Sequence, residues 1–255
     1  MLNEERKRKI VEIVNERSSV TLYELMDLLN ASQSTIRRDL NELNRSQLLK
    51  KVHGGAVSLK NGIETKDVTV QNRQILNIEA KRRIAAYAAS LIKDNDVVYL
   101  DAGTTTAEML PYLENVKATY ITNCITHASV LAAYGHRVYL PGGTLKTTTD
   151  ALIGSEAYKY IEKMNFTIGF FGTNGISIKE GFMTPDPEEG EIKRIAYAHC
   201  GEPYILADCS KFNVICTYTF AGIENGFIVT DSSAPKIYKD LHNTIIVDLI
   251  EEPKL

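Results

Sequence analysis

An α/β fold preceded by a small winged helix-turn-helix is what this 255-residue sequence predicts, and three observations carry the prediction. Three short amphipathic helical patterns follow one another before residue 46. A hydrophobic stretch then closes on Gly54-Gly55. Beyond residue 76, apolar β-branched runs alternate with helical patterns to the C-terminus, which argues for a mostly parallel, doubly wound sheet covered on both faces. The organisation expected is a winged helix-turn-helix over residues 1–57, a polar linker over 58–76 and an α/β domain over 77–255.

Composition bounds the function. Charged residues are 24% and hydrophobic ones 44%, an ordinary globular balance. No run approaches the ~18–20 apolar residues of a membrane span, and MLNEERKRK has no apolar leader segment, so no membrane partner is expected. Cys124, Cys200, Cys209 and Cys216 lack metal-ligand spacing and read as reduced thiols of a cytoplasmic chain, with neither metal nor cofactor. Residues 1–60 carry eleven Lys and Arg against eight Asp and Glu, a net of +3, while the rest carries 18 against 24, a net of −6. Such an asymmetry points the first segment alone at a polyanion.

In the first helix, Ile10, Ile13 and Val14 recur at i, i+3 and i+4. The second places Leu22, Leu25, Met26 and Leu29 on one stripe and opens on a capping box, Thr21-x-x-Glu24. The third starts from Ser32 as N-cap and aligns Ile36, Leu40 and Leu43. Only Asn30 and Ala31 separate it from the second, as in a helix-turn-helix. Opposite its apolar stripe, at 100° per residue, lie Ser34, Arg38, Asn41 and Arg45, flanked by Gln33, Thr35 and Arg37. These are the side-chain types that reach base edges and phosphates from a recognition helix. Asp39 would be repelled by phosphate and reads as structural, a partner for an arginine. The following run, LLKKVHGGAV, reads as a wing whose Lys50, Lys51 and His53 are placed to meet the DNA backbone.

TIRRDLNEL…LLKKVHGGAV resembles the signature of the deoxyribose-operon-repressor (DeoR) family of bacterial transcription regulators. Gln47 departs from it, standing where the family usually has a glycine between recognition helix and wing.

In the larger domain the expected elements are a helix over 78–92, a strand over 97–103, a helix beginning at Thr106 (TAEMLPYL), strands over 118–123 and 136–143, a helix SEAYKYIEKMN, a strand over 166–175, a helix over 188–200 and strands at 203–208, 227–231 and 244–249. Sheets of this kind bind ligands beyond the carboxyl ends of their strands. The first strand ends in Asp101-Ala102-Gly103-Thr104-Thr105-Thr106, a glycine and three hydroxyls at a helix start, which suits an anion. Later strands end in Thr122-Asn123, Gly142-Gly143, Gly172-Thr173-Asn174-Gly175, and Asp208 followed by Ser210-Lys211. Neither dinucleotide nor Walker-type glycine spacing is present.

LDAGTTT, ITN, PGGTL, GTNGI, Glu191-x-Lys193 and DCSKF extend the resemblance to the family's sugar-phosphate effector domain, whose fold is related to ribose-5-phosphate isomerase and CoA transferases. By that resemblance Gly103, Thr104, Thr105 and Thr106 hold a phosphate, while Asp101, Asn123, Lys193 and Lys211 face the sugar or complete the anion site. The remaining expected contacts are Thr122, Gly142, Gly143 and Asn174. The implied function is an operator-binding regulator, a repressor acting on double-stranded DNA as a homo-oligomer, under a phosphorylated sugar. Two alternatives stay open: a sugar-phosphate isomerase with Glu191 or Asp101 as base, and a sensor of a nucleotide or unphosphorylated sugar. Against catalysis, Asn174 and Ser177 stand where related isomerases supply acids.

Overall fold

A computed structural model describes residues 3–17, 19–46, 48–52, 54–58 and 76–249. Gln47, His53 and all but the two ends of the expected linker lie outside them. The chain divides into two compact units, residues 1–63 with 213–215, and 64–212 with 216–255.

The first unit contains α1 (Asn3–Arg17), β1 (Ser19–Thr21), α2 (Leu22–Leu29), α3 (Gln33–Arg45), β2 (Lys50–Val52) and β3 (Gly55–Val57). The stripes read from sequence meet in one core of Ile10, Val14, Leu22, Leu25, Leu29, Ile36, Leu40 and Leu43, closed by Val20, Leu49 and Ala56. Thr21 caps α2 with both halves of the capping box formed, and Ser32 caps α3. The helix pair turns through Asn30, left-handed at φ 46° and ψ 53°, a conformation Asn tolerates. The wing has a third strand that the sequence did not announce: the sheet order is β1-β3-β2, with β3 antiparallel to both neighbours. This explains the paired glycines. Gly54 takes φ +88°, and a Cβ on Gly55 would stand 2.2 Å from the Val20 carbonyl oxygen.

The second unit is built on a seven-stranded sheet, every pairing parallel. Its strands are β4 (Val97–Leu100), β5 (Thr119–Thr122), β6 (Arg137–Tyr139), β9 (Phe166–Gly172), β12 (Cys200–Leu206), β14 (Phe227–Thr230) and β15 (Thr244–Ile246), in the order β15-β14-β12-β9-β4-β5-β6. Alternate residues feed opposite cores. Val98, Leu100, Ile168, Phe170 and Leu206 pack beneath α4 (Ile78–Ser90), while Tyr99, Ile121, Phe171 and Ile205 pack with α7 (Ser155–Ile161) and α8 (Pro187–Ala198). Between β5 and β6 runs α6 (Ile125–Ala133), and α9 (Lys236–Lys239) precedes β15.

Two smaller sheets were not legible in the sequence. β7 (Thr144–Lys146) and β8 (Ala151–Ile153) form a hairpin; β10 (Gly175–Ser177), β11 (Gly181–Thr184) and β13 (Tyr218–Ala221) form an antiparallel triplet. One expected helix is corrected. Instead of a continuous TAEMLPYL helix there is a single turn, α5 (Thr104–Ala107), and then a 3-10 turn over Leu110–Tyr112. Pro111 supplies no N–H and disfavours the helical conformation of the residue before it. Among the described residues no helix is long and apolar enough to cross a membrane, and no three metal-ligating side chains gather.

Candidate nucleic-acid interface and effector cleft

On α3 the apolar stripe is buried, and Ser34, Arg37, Arg38, Asn41 and Arg45 are exposed, with Gln33 and Thr35 half-buried. Ser34 and Thr35 gather their hydroxyls on the Ser32 Oγ, at 3.0 and 2.9 Å. Lys50 and Lys51 are exposed on β2. The wing is tied to the helix: Lys51 Nζ donates to Asn41 Oδ1 at 2.6 Å, and its backbone N–H to Asn44 Oδ1 at 2.8 Å.

The carboxylates of α3 are answered from α1. Asp39 is fully buried, and Arg6 grips it through Nε at 2.6 Å and Nη2 at 3.3 Å. Lys7 pairs with Glu42 at 2.6 Å, and that hydrogen bond lowers the Glu42 pKa. With both acids neutralised, the exposed charge of α3 is that of its arginines. Sequence reasoning gave Asp39 a structural role with an arginine; the partner is Arg6, 33 positions away, and neither of its own neighbours.

In the second unit a cleft opens at the carboxyl ends of β4, β9 and β12. Its lining combines Leu76, Asn77 and Lys81 with Asp101 to Thr105, Gly172 to Asn174, Glu189, Lys193, Asp208, Ser210 and Lys211. Of the expected effector residues, Asp101, Gly103, Thr104, Thr105, Asn174, Lys193 and Lys211 line it. Five do not. Thr106 is fully buried and spends its hydroxyl on the Asp101 and Gly103 carbonyls at 2.7 and 2.9 Å, bracing the loop from beneath. Asn123 accepts from the Ala102 N–H at 3.1 Å, and the Thr122 hydroxyl accepts from the Cys124 N–H at 3.1 Å. Gly142 and Gly143 lead into the β7–β8 hairpin, where Gly143 lies against the Ile153 backbone.

Asp101 and Lys193 form a buried ion pair, with Asp101 Oδ2 also accepting from the Gly172 N–H at 3.0 Å and Lys193 donating to the Gly172 carbonyl at 3.1 Å. The arrangement pins β4, β9 and α8 together at the cleft floor. Three polar lining residues escaped the sequence reading. Lys81, on α4, is buried and donates to Thr104 Oγ1 at 3.0 Å. Asn77 Nδ2 donates to Asp208 Oδ1 at 2.7 Å. Glu189, not Glu191, is the acid that α8 brings to the cleft. It is held by Lys146 at 2.8 Å and by the Thr149 hydroxyl. Glu191 instead bonds Arg194 and the Tyr218 hydroxyl, which lower its pKa to about 2. Helical spacing carried this signal: Glu189 and Lys193 are i, i+4 and share a face, whereas i, i+2 positions do not.

Beside the loop, His127 is buried and its Nδ1 has no partner among the described residues. Burial lowers its pKa to about 4 and raises that of the Cys124 thiol to about 12.

A helix-turn-helix with a winged sheet, in a chain that also carries an α/β domain with a polar cleft at its strand ends, defines a DNA-binding regulator with a second, sensor-like domain. Residues 6–61 match the DeoR-like helix-turn-helix domain and residues 76–232 the DeoR C terminal sensor domain, and the chain belongs to the DeoR family of transcription regulators. It is 36% identical, over 98% of its length and 100% of the relative's, to an HTH-type transcriptional regulator named FruR from Bacillus subtilis (strain 168). With the lactose phosphotransferase system repressor of Staphylococcus epidermidis (strain RP62A) it shares 36% identity over 81% of this chain and 83% of that one. A slighter likeness is to ribose 5-phosphate isomerase A of Methanocaldococcus jannaschii, at 17% identity and TM-score 0.41, over 53% of this chain and 55% of the other.

Proposed function

We propose that the protein represses a sugar-utilisation operon, binding operator DNA as a homo-oligomer through α3 and the wing, and that a phosphorylated sugar in the cleft controls it. The observation that carries this reading is the convergence of Lys81, Lys193, Lys211 and the Thr104 and Thr105 hydroxyls on one cleft that also holds Asp101, Glu189 and Asp208. Cations with hydroxyl donors suit a phosphate, and fixed acceptors beside them suit the hydroxyls of a polyol. The anion site rests on side chains more than on a helix dipole, because α5 is a single turn. Pairing of recognition helices on symmetric half-sites is what calls for more than one copy. The two repressor and regulator relatives are in keeping with this role.

A sensor fits the cleft better than an isomerase. A general base must be free to take a proton. Asp101 is committed to Lys193 and the Gly172 N–H, Glu189 to Lys146 and Thr149, Asp208 through Oδ1 to Asn77 and the Ser210 N–H, and Glu191 to Arg194 outside the lining. The test is a thermal-shift screen of sugar monophosphates on the full chain. Fluorescence anisotropy then follows, with DNA from upstream of its own and neighbouring genes. Stabilisation by a sugar phosphate that also changes DNA affinity is expected. A panel without effect on either, or a hit that the protein turns over, would sink the reading.

A further inference from the structure

The cleft is lined in part by the residues at which the chain from the DNA-binding module enters the sensor domain, Leu76 and Asn77. Asn77 occupies the N-cap position of α4, and it behaves there as no ordinary N-cap does. N-cap residues hold an extended backbone and accept an N–H bond from the first helical turn; Asn is among the best at it. Asn77 is left-handed instead, at φ 53° and ψ 35°, and makes no capping bond. Its side chain is spent on Asp208 Oδ1 at 2.7 Å, across 131 positions of sequence.

Asp208 is itself a divided group. Its Oδ1 also accepts from the Ser210 N–H at 3.0 Å, ordering the turn that carries Lys211 into the cleft. Oδ1 is therefore filled by two donors, and a ligand hydroxyl that takes this oxygen displaces Asn77 from it.

On these grounds, and resting on the sugar-phosphate reading above, we propose that Asn77 is the effector-sensing residue of the cleft, with two alternative uses of one side chain. In one, Asn77 holds Asp208 and its backbone is left-handed. In the other, a ligand hydroxyl takes Asp208, and Asn77 reverts to an extended N-cap that bonds the first turn of α4. The exchange replaces one hydrogen bond by another and relieves a left-handed backbone, so the two states lie close enough for a ligand to choose between them. The change of φ falls on the residue through which the preceding chain reaches the domain.

Two substitutions separate the states in the full chain. Asn77→Ser caps helices but is poorly suited to the left-handed backbone, so it favours the second state. Asn77→Gly is at ease left-handed but can neither hold Asp208 nor bond the first turn of α4 through a side chain, so it uncouples the backbone from the ligand. Calorimetry with inorganic phosphate, glycerol 3-phosphate, fructose 1-phosphate and fructose 6-phosphate gives the affinities, and anisotropy gives DNA binding with and without each. In Asn77→Ser, DNA affinity without ligand should match that of the wild type saturated with a sugar phosphate. Its preference for sugar phosphate over inorganic phosphate should rise roughly 5-fold or more, the lower range of allosteric couplings. In Asn77→Gly, the DNA response to sugar phosphate should shrink by a similar factor. If both variants keep the wild-type response while wild type responds to a sugar phosphate, Asn77 is no sensor and the cleft reading survives. If none of the four compounds alters DNA binding by wild type, both readings fall.

Discussion

The DNA-binding module and the sensor domain both present cations, and they hold them in opposite ways. On α3, Arg37, Arg38 and Arg45 are exposed, and the nearby acids are answered by Arg6 and Lys7 from another helix. In the cleft, Lys81 and Lys193 are only 3% and 4% exposed and already engaged, one with Thr104 and one with Asp101. Exposed charge suits a polyanion: it attracts over a distance, releases counterions and weakens with salt. Buried charge suits one small anion, because its orientation is set beforehand by the groups around it and salt screens it little. On the function proposed above, a single chain meets two phosphate-bearing partners by two electrostatic strategies.

The largest effect should come from removing half of the buried pair. Lys193→Met leaves Asp101 charged and deprived of its counterion, which should cost ~3–5 kcal/mol. Urea unfolding should show this loss in the sensor domain, with the helical module's transition unmoved. Adding Asp101→Asn removes the uncompensated charge and should recover much of the loss. Equal destabilisation in the double variant would mean that packing, and not charge, holds the floor.

His127 sharpens the comparison, being a buried base that burial keeps neutral. Its folded pKa of about 4 lies below the ordinary 6.5, so the unfolded chain binds the extra proton between those values. Stability is then present in full above about pH 6.5 and falls as pH drops toward 4, by ~3 kcal/mol in all. Titrating unfolding free energy in wild type and His127→Phe should show this component of the acid slope in the first and not in the second. A common slope would refute it.

Smallest on this scale is Arg38→Ala. DNA binding should weaken by ~1–3 kcal/mol if a base contact is lost, or the salt slope should fall by about 1 for a phosphate. Folding should stay within ~0.5 kcal/mol, as for most surface changes. Unaltered affinity and unaltered salt slope together would return Arg38 to an ordinary solvated face.

Legibility in the sequence followed the range of the interactions. α2, α3 and the parallel strands rest on patterns within about ten residues, so Leu22, Leu25 and Leu29, or Val98 and Leu100, announced their cores. β1, only Ser19–Thr21, carries no alternation and exists because Gly55 lets β3 approach. β10, β11 and β13 are three- and four-residue strands whose partners are set by the chain's return from residue 218. At the cleft, Asp101, Gly103 and Asn174 were expected because they stand at strand ends, and the family resemblance gave Asp101 and Gly103 their roles. Lys81 was hidden in the helical pattern IEAKRRIAAYAAS, where a lysine reads as solvated; a threonine 23 positions later draws it inward. Thr106, Thr122 and Asn123 have the right chemistry but use it to hold their own loops.

Thr21 is at once the last residue of β1 and the cap of α2, and the next residue, Leu22, donates its N–H to the Gly54 carbonyl at 2.8 Å. The turn of the wing is therefore bonded directly to the first turn of the helix-turn-helix. Opening either breaks bonds of the other, so the amides of β1, β3 and the start of α2 should exchange as one cooperative unit. The wing is then no pliable arm that settles on DNA after the helix has docked. It arrives with the helix, as two fingers of a single rigid hand.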